Sequence, residues 1–282
     1  MNQHLPVYSW IRAGASVHLA QIVDSITSPG PPGQQQTNVR VRIVRTLWGS
    51  SPGRDAAFSF LQPISETARL KFPHPVWGQV DLAARPPILL VLHGAEAAHD
   101  EPWYVEPAPQ HDPALAALAD IAQSETPGTE RPDQRLRRYL EWLQPSRHPT
   151  LRLFAAEALA KDDDLPGVDH TGQIAAALAR VFQTDPDVYV RLAVGTWMWD
   201  GIWQKTNTAG RTAIADSAVD GVRDADQDVS RLSLEHLLAL ATPDLIQRRS
   251  AGAAQILRDR SRRVADPGER SRIDALIRRI SP

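Results

Sequence analysis

Pro149-Thr-Leu-Arg-Leu-Phe-Ala-Ala156 aligns with Pro186-Asp-Val-Tyr-Val-Arg-Leu-Ala193 at a spacing of 37 residues, and Asp228-Val-Ser-Arg-Leu232 follows about 41 further on with a one-residue slip. Recurrence at such an interval is the mark of stacked supersecondary units, each unable to bury its apolar face alone. Outward from these stretches the helical period runs through the whole second half. Apolar residues fall at i, i+3, i+4 and i+7 in Leu136/Tyr139/Leu140/Leu143, Leu151/Phe154/Ala155/Ala158, Ile174/Ala177/Leu178/Val181 and Val190/Ala193/Val194/Trp197. The same stripe returns in Ala215/Ala218/Val219/Val222, Leu234/Leu237/Leu238/Ala241 and Ile273/Leu276/Ile277/Ile280. Such stripes are what an amphipathic helix must bury. An eighth helix, from about Pro243 to Arg263, fits less well. Breakers at Pro145, Pro149, Pro166-Gly167, Pro186, Gly210, Pro243 and Pro267-Gly268 divide the region into helix pairs at roughly 132–161, 170–203, 209–241 and 243–280.

Asp187-Val188 leading to Val190-Arg191-Leu192-Ala193 resembles the Asp-Pro-x-Val-Arg-x-Ala-Ala pattern of HEAT-like repeats. The resemblance covers about 150 residues and rests on one good copy. It implies an α-solenoid whose curved surface holds a protein or nucleic-acid partner, in a family that is mostly not enzymatic.

The first half reads differently. Val39, Val41 and Ile43 alternate with Arg40 and Arg42, the period of a strand with one wet face. Val17–Ile26 is a second strand, joined to it by the Pro-Gly cluster from Pro29 to Gly33. Ala56–Leu61, Trp77–Leu82, Ile88–His93 and Trp103–Val105 are further short candidates, the last denied a central place by Pro102 and Pro107. The stretch from Ala15 through Gly49 resembles the opening hairpin of OB-like or netrin-like barrels. The expected architecture is α+β in two domains. Residues 1–124 form a small β-barrel or sandwich ending in a short helix, and residues 131–282 form a helical repeat array of about four helix pairs.

Composition narrows the function only a little. The 282 residues carry a formal net charge of −2 and no cysteine, so disulfides, thiolate metal sites and thiol nucleophiles are excluded. The alanine-rich, arginine-for-lysine usage points to a GC-rich bacterial genome. No secretory leader pattern opens the chain and no run is long enough to span a membrane, so the expected compartment is cytoplasmic.

Candidate sites fail one by one on geometry. Ile88-Leu-Leu-Val-Leu-His-Gly94 resembles the strand and His-Gly turn of α/β-hydrolases, but the Gly-x-Ser-x-Gly elbow is missing; Gly14-Ala15-Ser16 comes closest and has His18 where glycine is required. His93, His99, Asp100, Glu101, His111 and Asp112 crowd one polar loop without zinc-site spacing. Asp224, Asp226, Asp228 and Glu235 fall at positions 1, 3, 5 and 12 of a calcium loop, yet Val229 stands where glycine must turn the chain, so a helix cap is the better reading. The acidic run Asp162–Asp164 with Asp169 fails through Pro166 and Gln173. Neither metal nor cofactor is expected.

Two features remain as binding candidates. Trp199 and Trp203 lie with Val188 and Leu192 about 180° from the Val190/Val194/Trp197 face, so they are either core between neighbouring helices or anchors in a groove. Residues 243–282 hold ten arginines against five acids, Arg248 and Arg249 among them, enough to suggest phosphate contacts. The expected function is a non-catalytic protein-interaction module or scaffold; the alternative is nucleic-acid binding through the arginine-rich end.

Overall fold

A computed structural model describes residues 4–64, 76–77, 80–93, 102–109, 112–125, 131–161, 168–240, 245 and 250–280. The chain divides into two compact units, Met1–Pro127 and Gly128–Pro282.

In the first unit a short helix, α1 (Val7–Arg12), precedes β1 (Ala15–Pro29), β2 (Gln34–Trp48), β3 (Asp55–Pro63), β4 (Pro87–His93) and β5 (Tyr104–Pro107), and α2 (Pro113–Ser124) closes it. The strands form one antiparallel sheet in the order β3-β2-β1-β4-β5. The expected barrel or sandwich is thus, among the described residues, a single open sheet with β3 and β5 at its edges. Helices supply the cover that closure would have given. Val7 and Ile11 of α1, with Leu118 and Ile121 of α2, meet Val17, Leu47 and Trp48 on one face. On the other, Ile22, Val39, Val41, Phe58, Leu90 and Val105 form a cluster capped by Trp77, whose ring stacks on Phe60 at 5.6 Å. Trp77 and Val80, expected in a strand, lie instead in a turn-rich segment that lays its side chains over the sheet. Covered on both faces, β4 is apolar without alternation, and Ile88 through Leu92 are at most 1% exposed.

The β1–β2 hairpin carries three register shifts, which leave Val23, Val44 and Leu47 as extra residues. Each bulge adds twist, and a long hairpin needs that twist to serve two packing layers. Asp112 starts α2 with a carboxylate that accepts the Ala114 N–H at 2.9 Å, and Pro113 fills the first helical position, where no N–H is wanted.

The second unit is helical throughout its described residues: α3 (Pro132–Trp142), α4 (Pro149–Lys161), α5 (Val168–Thr184), α6 (Val188–Trp197), a π turn (Met198–Ile202) running into the short α7 (Trp203–Lys205), α8 (Thr208–Gly221), α9 (Gln227–Leu240), α10 (Ser250–Arg263) and α11 (Pro267–Ile280). They pack in two layers. α5, α8 and α10 succeed one another in one, and α4, α6, α9 and α11 in the other.

The same hydrogen bonds recur along this unit. His148, Asp187 and Asp226 stand 39 residues apart, and Asp266 follows after 40. Each side chain caps a second-layer helix. His148 Nδ1 accepts the Thr150 N–H at 3.2 Å, Asp187 those of Tyr189 and Val190, Asp226 those of Asp228 and Val229, and Asp266 those of Gly268 and Glu269. Four residues beyond each cap, Arg152, Arg191, Ser230 and Arg270 donate back to carbonyls at the end of the preceding helix: Pro145, Phe182, Val222 and Val264. Two of the arginines also reach forward by 33 residues, Arg152 to Asp185 and Arg191 to Asp224. The first pair is sealed at 4% and 1% side-chain exposure. Burial pushes the Asp224 carboxyl up, but Arg191 and the Asp226 N–H outweigh it and hold the group below its ordinary range.

Candidate functional site

The expected binding residues lie in two kinds of place. Trp199 and Trp203 are interior, 2% and 6% exposed. Their ring centroids are 4.9 Å apart, and the His236 ring lies parallel to Trp199 at 4.6 Å. The π turn widens the helix here, and Met198, Trp199, Ile202 and Trp203, which share one side of it, are all buried. Of the two roles open to these tryptophans, the structure places them in the core. Gly201 lets the wide turn pass the end of α4, since a Cβ there would sit 2.8 Å from the Ala160 carbonyl oxygen. Trp199 Nε1 and His236 Nε2 are buried without a hydrogen-bond partner among the described residues. Burial lowers the His236 pKa to about 4 against the opposing pull of Asp200.

Arg248 and Arg249 fall outside the described residues. Of the other C-terminal arginines, Arg260 faces Glu269 at 3.6 Å, Arg262 faces Asp259 at 3.7 Å and Arg270 is spent on the Val264 carbonyl, whereas Arg263, Arg272, Arg278 and Arg279 make no ion pair among the described residues. Open hollows beside them mix Arg223, Arg231 and Arg263 with Asp228, Asp259 and Asp266. A phosphate backbone would meet carboxylates there as often as guanidiniums.

The supposed calcium loop is engaged otherwise. Asp224 pairs with Arg191, Asp226 caps α9 and Asp228 pairs with Arg231, so the three carboxylates serve three different partners. Of the polar loop, His99, Asp100, Glu101 and His111 lie outside the described residues, as do Asp162–Asp164.

Ser16 and His18 do meet, with Ser16 Oγ 2.8 Å from His18 Nε2, while His18 Nδ1 lies 3.0 Å from Thr46 Oγ1. This arrangement makes a poor nucleophile and base. Both side chains are at most 2% exposed, burial lowers the imidazole pKa to about 4, and no carboxylate orients the ring. It satisfies polar groups inside the sheet.

One opening was not anticipated. Where α5 packs along α8, the matching seam between α3 and α5 stays open. A crevice of ≈ 140 Å³ there is lined by Leu140, Leu143, Ala177 and Val181, with the exposed Gln144, Pro145, Arg180 and Thr184 and the buried Asp185 completing its wall. The four apolar residues belong to stripes legible in the sequence, where they read as ordinary core. The one carboxylate in the lining, Asp185, is occupied by Arg152. Arg180 on α5 has no hydrogen bond or ion pair through its guanidinium among the described residues, and neither has Arg137, one turn before Leu140 on α3.

No helix among the described residues is long and apolar enough to cross a membrane. No protein-family model, curated protein or solved structure matches this chain.

Proposed function

We propose that the helical unit is a HEAT-like array serving as a non-catalytic protein-interaction module. The observation that carries this is the recurrence of one cap-and-brace arrangement from His148 through Asp187 and Asp226 to Asp266, with helices in two layers. Stacked units of this kind extend a surface in one direction and hold it rigid, which suits recognition of another chain. The nucleic-acid alternative is weakened by the pairing of Arg260 and Arg262 with nearby carboxylates. On this reading the sheet unit is an appended domain.

Capture from native lysate, with and without nuclease, tests the reading when paired with a fluorescent DNA duplex titration. Protein capture that survives nuclease, with only salt-sensitive duplex binding, is expected. Capture abolished by nuclease, together with tight duplex binding at moderate salt, would overturn it in favour of the arginine-rich end.

A further inference from the structure

We infer that the β3 edge of the sheet pairs antiparallel with β3 of a second copy of this chain, so that two five-stranded sheets join into one. The inference goes beyond the reading of the helical unit and does not depend on it. It gives the sheet unit a role of its own, dimerisation.

Which backbone groups are open follows from the register. Ile43 N–H donates to the Arg54 carbonyl and Ile64 N–H to that of Gly33, so the even-numbered residues of β3 are the ones bonded to β2. The odd-numbered residues, Asp55, Ala57, Ser59 and Leu61, therefore aim their N–H and C=O away from the sheet. None of these backbone groups has a hydrogen bond among the described residues.

Natural sheets blunt an open edge with charge, proline, a bulge or brevity. β5, at the opposite edge, is four residues long, ends in Pro107 and follows Pro102. β3 lacks such protection along its run. It has nine residues in unbroken register with β2, and its one charge, Asp55, and its one proline, Pro63, stand at its two ends. An edge left open over that length is shaped for another strand.

Its own sequence is the match. The outward face of Ala57, Ser59 and Leu61 carries no charge to recruit a different chain. A two-fold axis through Ser59, the middle residue, pairs the whole strand with itself. Ser59 then bonds to Ser59 of the second copy and Ala57 to its Leu61, each pair joining outward-aimed groups. Leu61, 45% exposed, gains an apolar neighbour. Phe58 falls opposite Phe60 of the second copy at the closer, non-hydrogen-bonded positions, and carries the apolar layer beneath Trp77 across the axis. Like charges never meet. Each Asp55, beside its own Arg42 at 3.5 Å, lies at the far end of the pairing from the other.

Sedimentation of the full chain from micromolar to millimolar concentration should show a monomer–dimer equilibrium. Ser59→Pro removes an outward N–H, leaves every backbone bond to β2 in place, and should weaken dimerisation about ten-fold, since two bonds across the axis are lost. Ser59→Lys sets two like charges face to face on the axis and should also weaken the dimer; it stands in if circular dichroism shows the proline variant misfolded. The register is read separately. The chain has no cysteine, so Ser59→Cys should give a disulfide-linked dimer under mild oxidation, whereas Ala57→Cys, which faces Leu61 rather than itself, should not. A monomer at every concentration, a dimer indifferent to a folded Ser59 variant, or cross-linking through Ala57→Cys in place of Ser59→Cys would overturn the inference.

Discussion

His18 couples the sheet unit to pH, and the size of the coupling follows from its burial. The ring is 0% exposed, and desolvation lowers its pKa to about 4 from an ordinary 6.5. The unfolded chain therefore binds the proton more readily than the folded one, so stability is fully present above pH 6.5 and drains away as pH falls toward 4. At 1.36 kcal/mol per unit, His18 alone removes about 2 kcal/mol between pH 7 and pH 5, and about 3 kcal/mol once pH is below 4. His18→Gln keeps a polar group beside Ser16 and Thr46 but cannot titrate. Urea unfolding read through hydrogen exchange of β1 and β4 peptides isolates this unit from the helices, where His236 pulls in the same direction. The stability gap between wild type and variant should shrink by about 2 kcal/mol from pH 7 to pH 5. A gap that does not change with pH would show that His18 is not held neutral by burial, and the reasoning would fail.

Two further predictions concern the helical unit. Trp199→Ala and Trp203→Ala should each cost roughly 3–5 kcal/mol in thermal or urea unfolding, because both rings are interior; losses under about 1 kcal/mol in both would return them to the surface. Arg152→Met should cost about 3–5 kcal/mol by stranding the Asp185 carboxylate, and adding Asp185→Asn should recover much of it, since the amide oxygen still accepts the Asp187 N–H; an equal loss in single and double variants would refute the pairing.

How much was visible in the sequence depends on the range of the interaction. The alternation of Val39, Val41 and Ile43, and the helical stripes from Leu136 onward, are local patterns, and the structure carries them as β2 and as helices. Asp226 as a cap was legible too, because a cap bonds residues two and three ahead. The π turn was not, since a lone Gly201 in Met198–Ile202 does not by itself tell a widened turn from an ordinary one. Nor were the ion pairs, whose partners stand 33 residues apart with the intervening chain folded between them. The crevice is the sharpest case. A stripe such as Ile174/Ala177/Leu178/Val181 shows that a face is apolar; it does not show whether a neighbour closes over it.

The brace that follows each cap has a consequence for how force and heat would travel along the helical unit. Arg152 and Arg191 each tie their own helix pair to the next, but at the third position the residue is Ser230, which only reaches back to Val222. Contact between α10 and α8, and between α11 and α9, is also thin. In a linear array, cooperativity is carried by nearest-neighbour coupling, so one weak link divides the melting of the whole. The first three pairs are riveted into one block, and the last is joined to it by thinner packing and the solvent-facing Arg223–Asp259 pair at 3.9 Å. Fraying should begin at the α10–α11 end, leaving Val190, Phe182 and their neighbours folded while the terminal pair opens and recloses.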